Sequence, residues 1–192
     1  MVRMETPLIL ASASPRRREL LSLLGLRFVV DAPEVDEDTD LGAREAVQEL
    51  SRRKALAAAA QHPGRTVLAA DTLVALENRP LGKPSDEQDA FRMLRMLSGR
   101  WHQVYTGVCC VDAAGIVHSG LDVSEVRFGK MADSEILAYI RTGEPMDKAG
   151  AYALQGHAGA YIEEVRGVPS GIIGLPLPLT RKLLTECGLR ID

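Results

Sequence analysis

Long apolar runs are missing from this chain of 192 residues. None approaches the roughly 18 residues that a membrane-spanning helix needs, so no membrane partner is expected. Aromatic residues are scarce, at 4%, which argues against the stacking platforms that hold single-stranded nucleic acid. A net charge of −3 provides no basic field to draw a polyanion, and no nucleic-acid partner is expected. The three cysteines are Cys109, Cys110 and Cys187. Their number is odd, two are adjacent and no C-x-x-C occurs, which reads as reduced thiols rather than a disulfide frame or a zinc site. His62, His102, His118 and His157 are scattered without H-E-x-x-H spacing. Also absent are G-x-x-x-x-G-K-[ST], a G-x-G-x-x-G after a strand, and G-x-S-x-G. Any phosphate held here is therefore held by side-chain cations and not by a glycine cradle. Glu5 and Pro7 interrupt the apolar stretch that a signal peptide needs, so no targeting segment is expected and the location expected is cytoplasmic.

What is present is ordinary for a globular enzyme, with 46% hydrophobic and 26% charged residues. A chain of this length buries about 70% of its unfolded surface, enough for one domain over residues 1–192. A short apolar run at 8–11 reads as a buried strand. Ser14-Pro15 then opens a helix, serine as N-cap and proline at the first helical position, with Leu20, Leu21 and Leu24 inward and Gly25 at its end. Residues 28–30 form a second strand, 33–40 an acidic loop, and 43–61 a long alanine-rich helix. The run 66–70 predicts a buried strand that delivers Asp71 at its end. A helix over 86–97 follows, then strands over 101–111 and 116–128 around a turn at 112–115. A helix at 133–141, a strand near 160–165 and a last helix over about 178–187 complete the chain. This loose alternation with a central hairpin predicts an α/β fold with a mixed sheet and flanking helices.

Several clusters carry chemistry. In Ser12-Ala13-Ser14-Pro15-Arg16-Arg17-Arg18, three arginines crowd the first turn of a helix. Cations there oppose the helix dipole by ~0.3–1 kcal/mol, which makes sense where a bound phosphate compensates. The block as a whole reads as phosphate binding, whereas Arg17 or Arg18 taken singly reads as a solvated surface cation. Asp71, following the apolar run Val67-Leu68-Ala69-Ala70, is costly to bury unpaired and calls for a metal, a cation or several donors. Asp36, Glu37, Asp38 and Asp40 are potential metal carboxylates, though acidic loops are usually just solvated. Lys54 lies seven positions beyond Val47, on the apolar face of its helix. A lysine there either snorkels to water or lines a cleft and pairs phosphate. Lys83 in Gly82-Lys83-Pro84 is a weaker candidate of the same kind. In residues 144–156 the glycines and alanines leave room for a ligand to approach the backbone closely, while Asp147-Lys148 also suits a plain ion pair.

The blocks LILASASPRRRELL (8–21), VDE (35–37), AADTLV (69–74), GKP (82–84), LSGRWHQVYTGV (97–108), EPMDKAGAYALQG (144–156) and GLPL (174–177) resemble, in order and over almost the whole chain, the Maf-type nucleoside triphosphate pyrophosphatases. The resemblance implies a two-lobed mixed α/β fold related to the inosine triphosphatase group, with substrate in a central cleft. It implies a divalent metal, Mg²⁺ or Mn²⁺, and a homodimer. It places the catalytic proton acceptor on Asp71, the metal-side carboxylates on Glu37 and Asp71, and the phosphate-handling residues on Ser12, Arg16, Lys54 and Lys83. Arg16, Thr72 and Gln155 match the branch that acts on dTTP and UTP, as opposed to the one that acts on 7-methyl-GTP. A glutamine amide, one donor beside one acceptor, suits the edge of uracil or thymine. Hydrolysis of dTTP and UTP to the monophosphate and pyrophosphate is therefore expected. The alternatives are a broader pyrophosphatase that clears modified nucleotides and a nucleotide-binding regulator of cell division.

Overall fold

The computed structural model describes residues 7–191. Glu5, expected to interrupt an apolar stretch, lies outside the described residues. Seven strands form one mixed sheet: β1 (Leu8–Leu10), β2 (Phe28–Val30), β3 (Val67–Leu76), β4 (Arg79–Leu81), β5 (Trp101–Val111), β6 (Val117–Phe128) and β7 (Ile162–Arg166). Their order is β2-β1-β3-β5-β6-β7, with β4 added on the outer side of β3. Strand β1 runs parallel to β2 and β3, and the other pairings are antiparallel. The helices are α1 (Pro15–Ser22), α2 (Ala43–Gln61), α3 (Glu87–Leu97), α4 (Asp133–Arg141), α5 (Pro169–Ile173) and α6 (Leu177–Glu186). Helix α1 starts as its sequence dictates: Ser14 Oγ accepts from the Arg17 N–H at 3.4 Å, and Pro15 takes the first helical position.

Alternation along the strands sorts the core onto two faces. On one, Val67, Ala69, Cys109 and Val111 pack against Ala55 and Ala58 of α2, while Ala75 and Tyr105 meet Ala43 and Val47. The helix is alanine-rich because it lies close to the sheet. A Cβ on Gly107 would fall 2.2 Å from the Val47 carbonyl oxygen, so glycine at that point is a condition of the packing. The opposite face holds two cores side by side. Leu68, Ala70 and Val108 pack with Leu21 of α1 and Leu183 and Leu184 of α6. Val74, Val104, Val126 and Phe128 pack with Met93, Leu94 and Leu97 of α3 and Ile136 and Ile140 of α4. All three cysteines are free. Among the described residues, no helix is long and apolar enough to cross a membrane.

Two differences from the sequence reading matter for the site. The strand expected to end at Asp71 continues to Leu76. The chain reverses only at Glu77 and Asn78, with φ of 50° and 64°, the left-handed pair of a two-residue hairpin turn, and so creates β4. Helix α5 and three short 3-10 turns (Glu144–Asp147, Ala149–Ala151, His157–Ala160) were also not foreseen; each is too short for periodicity to register. As a result the outer side of β3 is covered twice, by β1 at Val67 and Leu68 and by β4 from Val74 to Leu76. Between these, residues 69–73 have β5 on one side and, among the described residues, no strand on the other.

Candidate active site

A cleft of about 1350 Å³ opens at this gap. Because neighbouring side chains on a strand point to opposite faces, Asp71 and Thr72 leave β3 in opposite directions, and the gap lets both reach the same cleft. Asp71 points to the α2 face. Its Oδ1 lies 2.7 Å from Nζ of Lys54, which also meets Glu37 Oε1 at 2.9 Å. The inward position of Lys54 is thus a matter of pairing and not of snorkelling: its side chain is 15% exposed, Asp71's 11% and Glu37's 61%. Burial holds the Asp71 carboxyl above the ordinary range, against the opposing pull of Lys54 and, more weakly, Arg17. Of the acidic loop, only Glu37 faces the lysine. Asp36 Oδ1 accepts from the Asp38 N–H at 2.9 Å, and the carbonyls of Asp36 and Asp38 receive Arg53. The loop is held by its backbone, and the carboxylate between the two aspartates is left to point inward.

Thr72 points to the other face and meets Arg17. The guanidinium donates from Nη2 to Thr72 Oγ1 at 3.1 Å, from Nε to the Gly174 carbonyl at 2.8 Å and from Nη1 to Ser12 Oγ at 3.4 Å. Burial lowers its affinity for a proton. The reading of Arg17 as a solvated surface cation is therefore corrected. The signal lay in the helix periodicity, since Arg17 is four residues before Leu21, the fully buried residue of α1. Arg18, by contrast, is exposed as expected. Arg16 lines the cleft with Ser12, and its Nε is buried without a partner among the described residues. Across the cleft stands Asp147, whose carboxyl is held low first by its contact with Lys148 and also by Arg16. Asp147 and Lys148 do form the plain ion pair.

Lys83 and Gln155 line the same cleft and are both exposed. Their loops are joined where the Gly150 N–H donates to the Gly82 carbonyl at 3.1 Å. Ala149 and Ala153 line the cleft, where their small side chains leave room, but the two glycines serve the protein's own packing. A Cβ on Gly150 would fall 2.9 Å from Val74, and one on Gly156 would fall 2.0 Å from the Glu144 carboxylate. That carboxylate and the Tyr139 hydroxyl hold the segment bearing Gln155, accepting from the N–H groups of His157 and Ala153, each at 3.3 Å. Tyr152, also in the cleft wall, is anchored from behind by His102, with 2.6 Å between its hydroxyl and Nε2. Ser12, Arg16, Glu37, Lys54, Asp71, Thr72, Lys83 and Gln155 therefore all border one space. Arg17 and Tyr139 are what the sequence reading missed; Glu144 and Asp147 fell within the stretch 144–156, but the anchoring role of the first was not foreseen.

Among the described residues, no three histidine, cysteine or acidic side chains converge as a metal-binding group. The two carboxylates Glu37 and Asp71 do converge on one cation, the Lys54 ammonium. That donor set fits a hard divalent ion of the Mg²⁺ type, which is commonly held by one or two carboxylates with substrate phosphates completing its shell.

The family model described as Maf-like protein matches residues 7–187. A dTTP/UTP pyrophosphatase of Anaeromyxobacter dehalogenans (strain 2CP-C) is 50% identical over 186 residues, covering 94% of each chain. One of Myxococcus xanthus (strain DK1622) is 50% identical over 188 residues, covering 96% of this chain and 94% of the other. Among solved structures, the Staphylococcus aureus Ham1 protein overlaps 67% of this chain and 73% of its own at 16% identity, with a TM-score of 0.48. With a family match spanning nearly the whole sequence and relatives at half identity, the chain belongs to the Maf-like protein family.

Proposed function

We propose that the protein hydrolyses dTTP and UTP to the nucleoside monophosphate and pyrophosphate, by attack of water on the α-phosphorus. The observation that carries this reading is the convergence of Arg16, Lys54 and Lys83 with the carboxylates of Asp71 and Glu37 in one cleft. Cations alone would make an anion store; a buried carboxylate among them supplies a base. Asp71 is suited to take the proton of the attacking water, because burial raises its proton affinity toward the working pH. Lys54 keeps that carboxylate aimed into the cleft and offsets the charge gathering on the phosphates. A bound Mg²⁺ or Mn²⁺, held by Glu37 and Asp71, would lower the pKa of water and neutralise charge on the departing pyrophosphate. Arg16 and Ser12 at the start of α1 fit a phosphate group, where the free N–H groups of the helix add to the guanidinium. Gln155, exposed and without a hydrogen-bond partner among the described residues, is available to donate its amide N–H to the O4 acceptor of the base edge. Relatives at half identity that are named dTTP/UTP pyrophosphatases support the same substrates.

The test is a product assay across nucleotides with Mg²⁺ or Mn²⁺. Pyrophosphate and monophosphate should appear from dTTP and UTP, and much less from ATP, GTP and 7-methyl-GTP. Orthophosphate with a diphosphate product would overturn the bond assignment, and preference for 7-methyl-GTP would overturn the choice of base.

A further inference from the structure

Thr72, Thr106 and Asp122 are direct cross-strand partners on β3, β5 and β6, so their side chains stand in one row on the face away from α2. Helix α5 lies over that row closely enough that a Cβ on Gly171 would fall 2.2 Å from Asp122 Oδ2. Thr106 is fully buried beneath it. Its Oγ1 is 2.9 Å from the Gly171 carbonyl oxygen and 3.0 Å from Thr72 Oγ1, which in turn is 3.1 Å from Arg17 Nη2.

The two ends of this chain fix the direction of every hydrogen in it. A carbonyl oxygen only accepts and a guanidinium only donates, while a hydroxyl has one hydrogen to give. Thr106 must therefore donate to Gly171, which leaves it able only to accept from Thr72. Thr72 gives its one hydrogen to Thr106 and accepts from Arg17. Its remaining lone pair is all that the hydroxyl can offer to the cleft.

We infer that Thr106 is a positioning residue that makes Thr72 an obligate hydrogen-bond acceptor toward the bound nucleotide, and so a filter for a base with a donor at that edge. The inference rests on the proposed pyrimidine triphosphate activity. Uracil and thymine present an imide N–H at N3; cytosine presents a bare ring nitrogen there, an acceptor. An acceptor facing an acceptor leaves two polar groups unpaired, and such mismatches are rejected far more strongly than a missing methyl group. The selectivity thus resides partly in a residue that never touches substrate.

The experiment compares kcat/KM for dTTP and dCTP in the wild type, in Thr106→Val and in Thr106→Ser. Valine keeps the volume but frees the Thr72 hydrogen to turn toward the cleft. The ratio of dTTP to dCTP should fall about tenfold in Thr106→Val and return to the wild-type ratio in Thr106→Ser, which keeps the hydroxyl. Thr106→Ala serves if the valine variant does not fold. In a Thr72→Val background, Thr106→Val should change the ratio no further, because the group it acts through is gone. A purely structural role would lower turnover of both nucleotides equally and leave the ratio alone. An unchanged ratio in a folded Thr106→Val, a wild type indifferent between dTTP and dCTP, or a serine variant as impaired as the valine variant overturns the inference while the pyrophosphatase reading stands. A wild type that hydrolyses no nucleotide overturns both.

Discussion

Asp71 and Thr72 are adjacent in sequence and open on the same cleft, yet their surroundings differ in kind. On the α2 face the aspartate sits in a cluster of formal charges, Lys54 between two carboxylates. On the other face the threonine belongs to a chain of hydroxyls that starts from Arg17 and ends on a neutral carbonyl. The same face carries His102, buried with Phe128 and Tyr152 and held to a pKa of about 4 by loss of solvent. On the function proposed, the charged face supplies the reactivity and tolerates a cost in stability. The neutral face, whose row of hydroxyls runs between Arg17 and Asp122, is built for shape and hydrogen-bond polarity.

The sharpest way to break this contrast is to neutralise the charged face. Asp71→Asn should cut kcat by about 10²–10⁴-fold through loss of the base. Because burial already disfavours the charged carboxylate, the variant should melt no lower than the wild type. Near-normal turnover in a folded Asp71→Asn would assign the chemistry to another group.

Charging the neutral face is the converse. The depressed pKa of His102 means that, between pH 6.5 and about 4, the unfolded chain binds a proton that the folded protein refuses. Stability is therefore full above the ordinary histidine pKa and is lost as pH falls through that window, by an amount on the order of 3 kcal/mol. Thermal melts at stepped pH should show the loss, and His102→Gln should flatten that part of the curve. A wild-type profile that is level between pH 7 and pH 4 would contradict the burial argument.

A smaller effect should come from the loop that faces both. Gln155→Glu replaces a donor with an acceptor against the O4 of thymine or uracil. It should lower kcat/KM for dTTP by about tenfold while leaving the melting temperature unchanged, since Gln155 is exposed. If the ranking of nucleotides stays as in the wild type, Gln155 does not read the base.

How much of this was legible in the sequence depended on whether periodicity or pairing decided a position. Helix periodicity placed Lys54 on an apolar face correctly, because a seven-residue offset from Val47 survives any uncertainty in helix ends. The same rule, applied to Arg17, sets it one turn before Leu21, but the surrounding arginines made it look like part of a solvated patch. Strand length was misjudged at β3 because Asp71-Thr72 looks like a polar stop; nine residues paired with β5 carry the strand through it. Gly150 and Gly156 resembled a ligand cradle, since a sequence does not tell whether the atom close to a glycine belongs to a ligand or to Val74 and Glu144. The hydroxyl chain through Thr106 was illegible for a similar reason: its members come from α1, β3, β5 and α5, and only the sheet register makes them neighbours.

The interrupted outer edge of β3 makes sheet register itself a functional quantity. A strand displaced by one residue against β5 would remain a strand, with most of its ladder intact. Yet it would exchange the two adjacent side chains, turning the carboxylate toward Arg17 and the hydroxyl toward Lys54. Reactivity and selection would then fail together without any loss of secondary structure. The continuous pairing of Val67 through Ala75 with β5 acts as a ratchet against that slip, which leaves the opposite edge free to be the doorway.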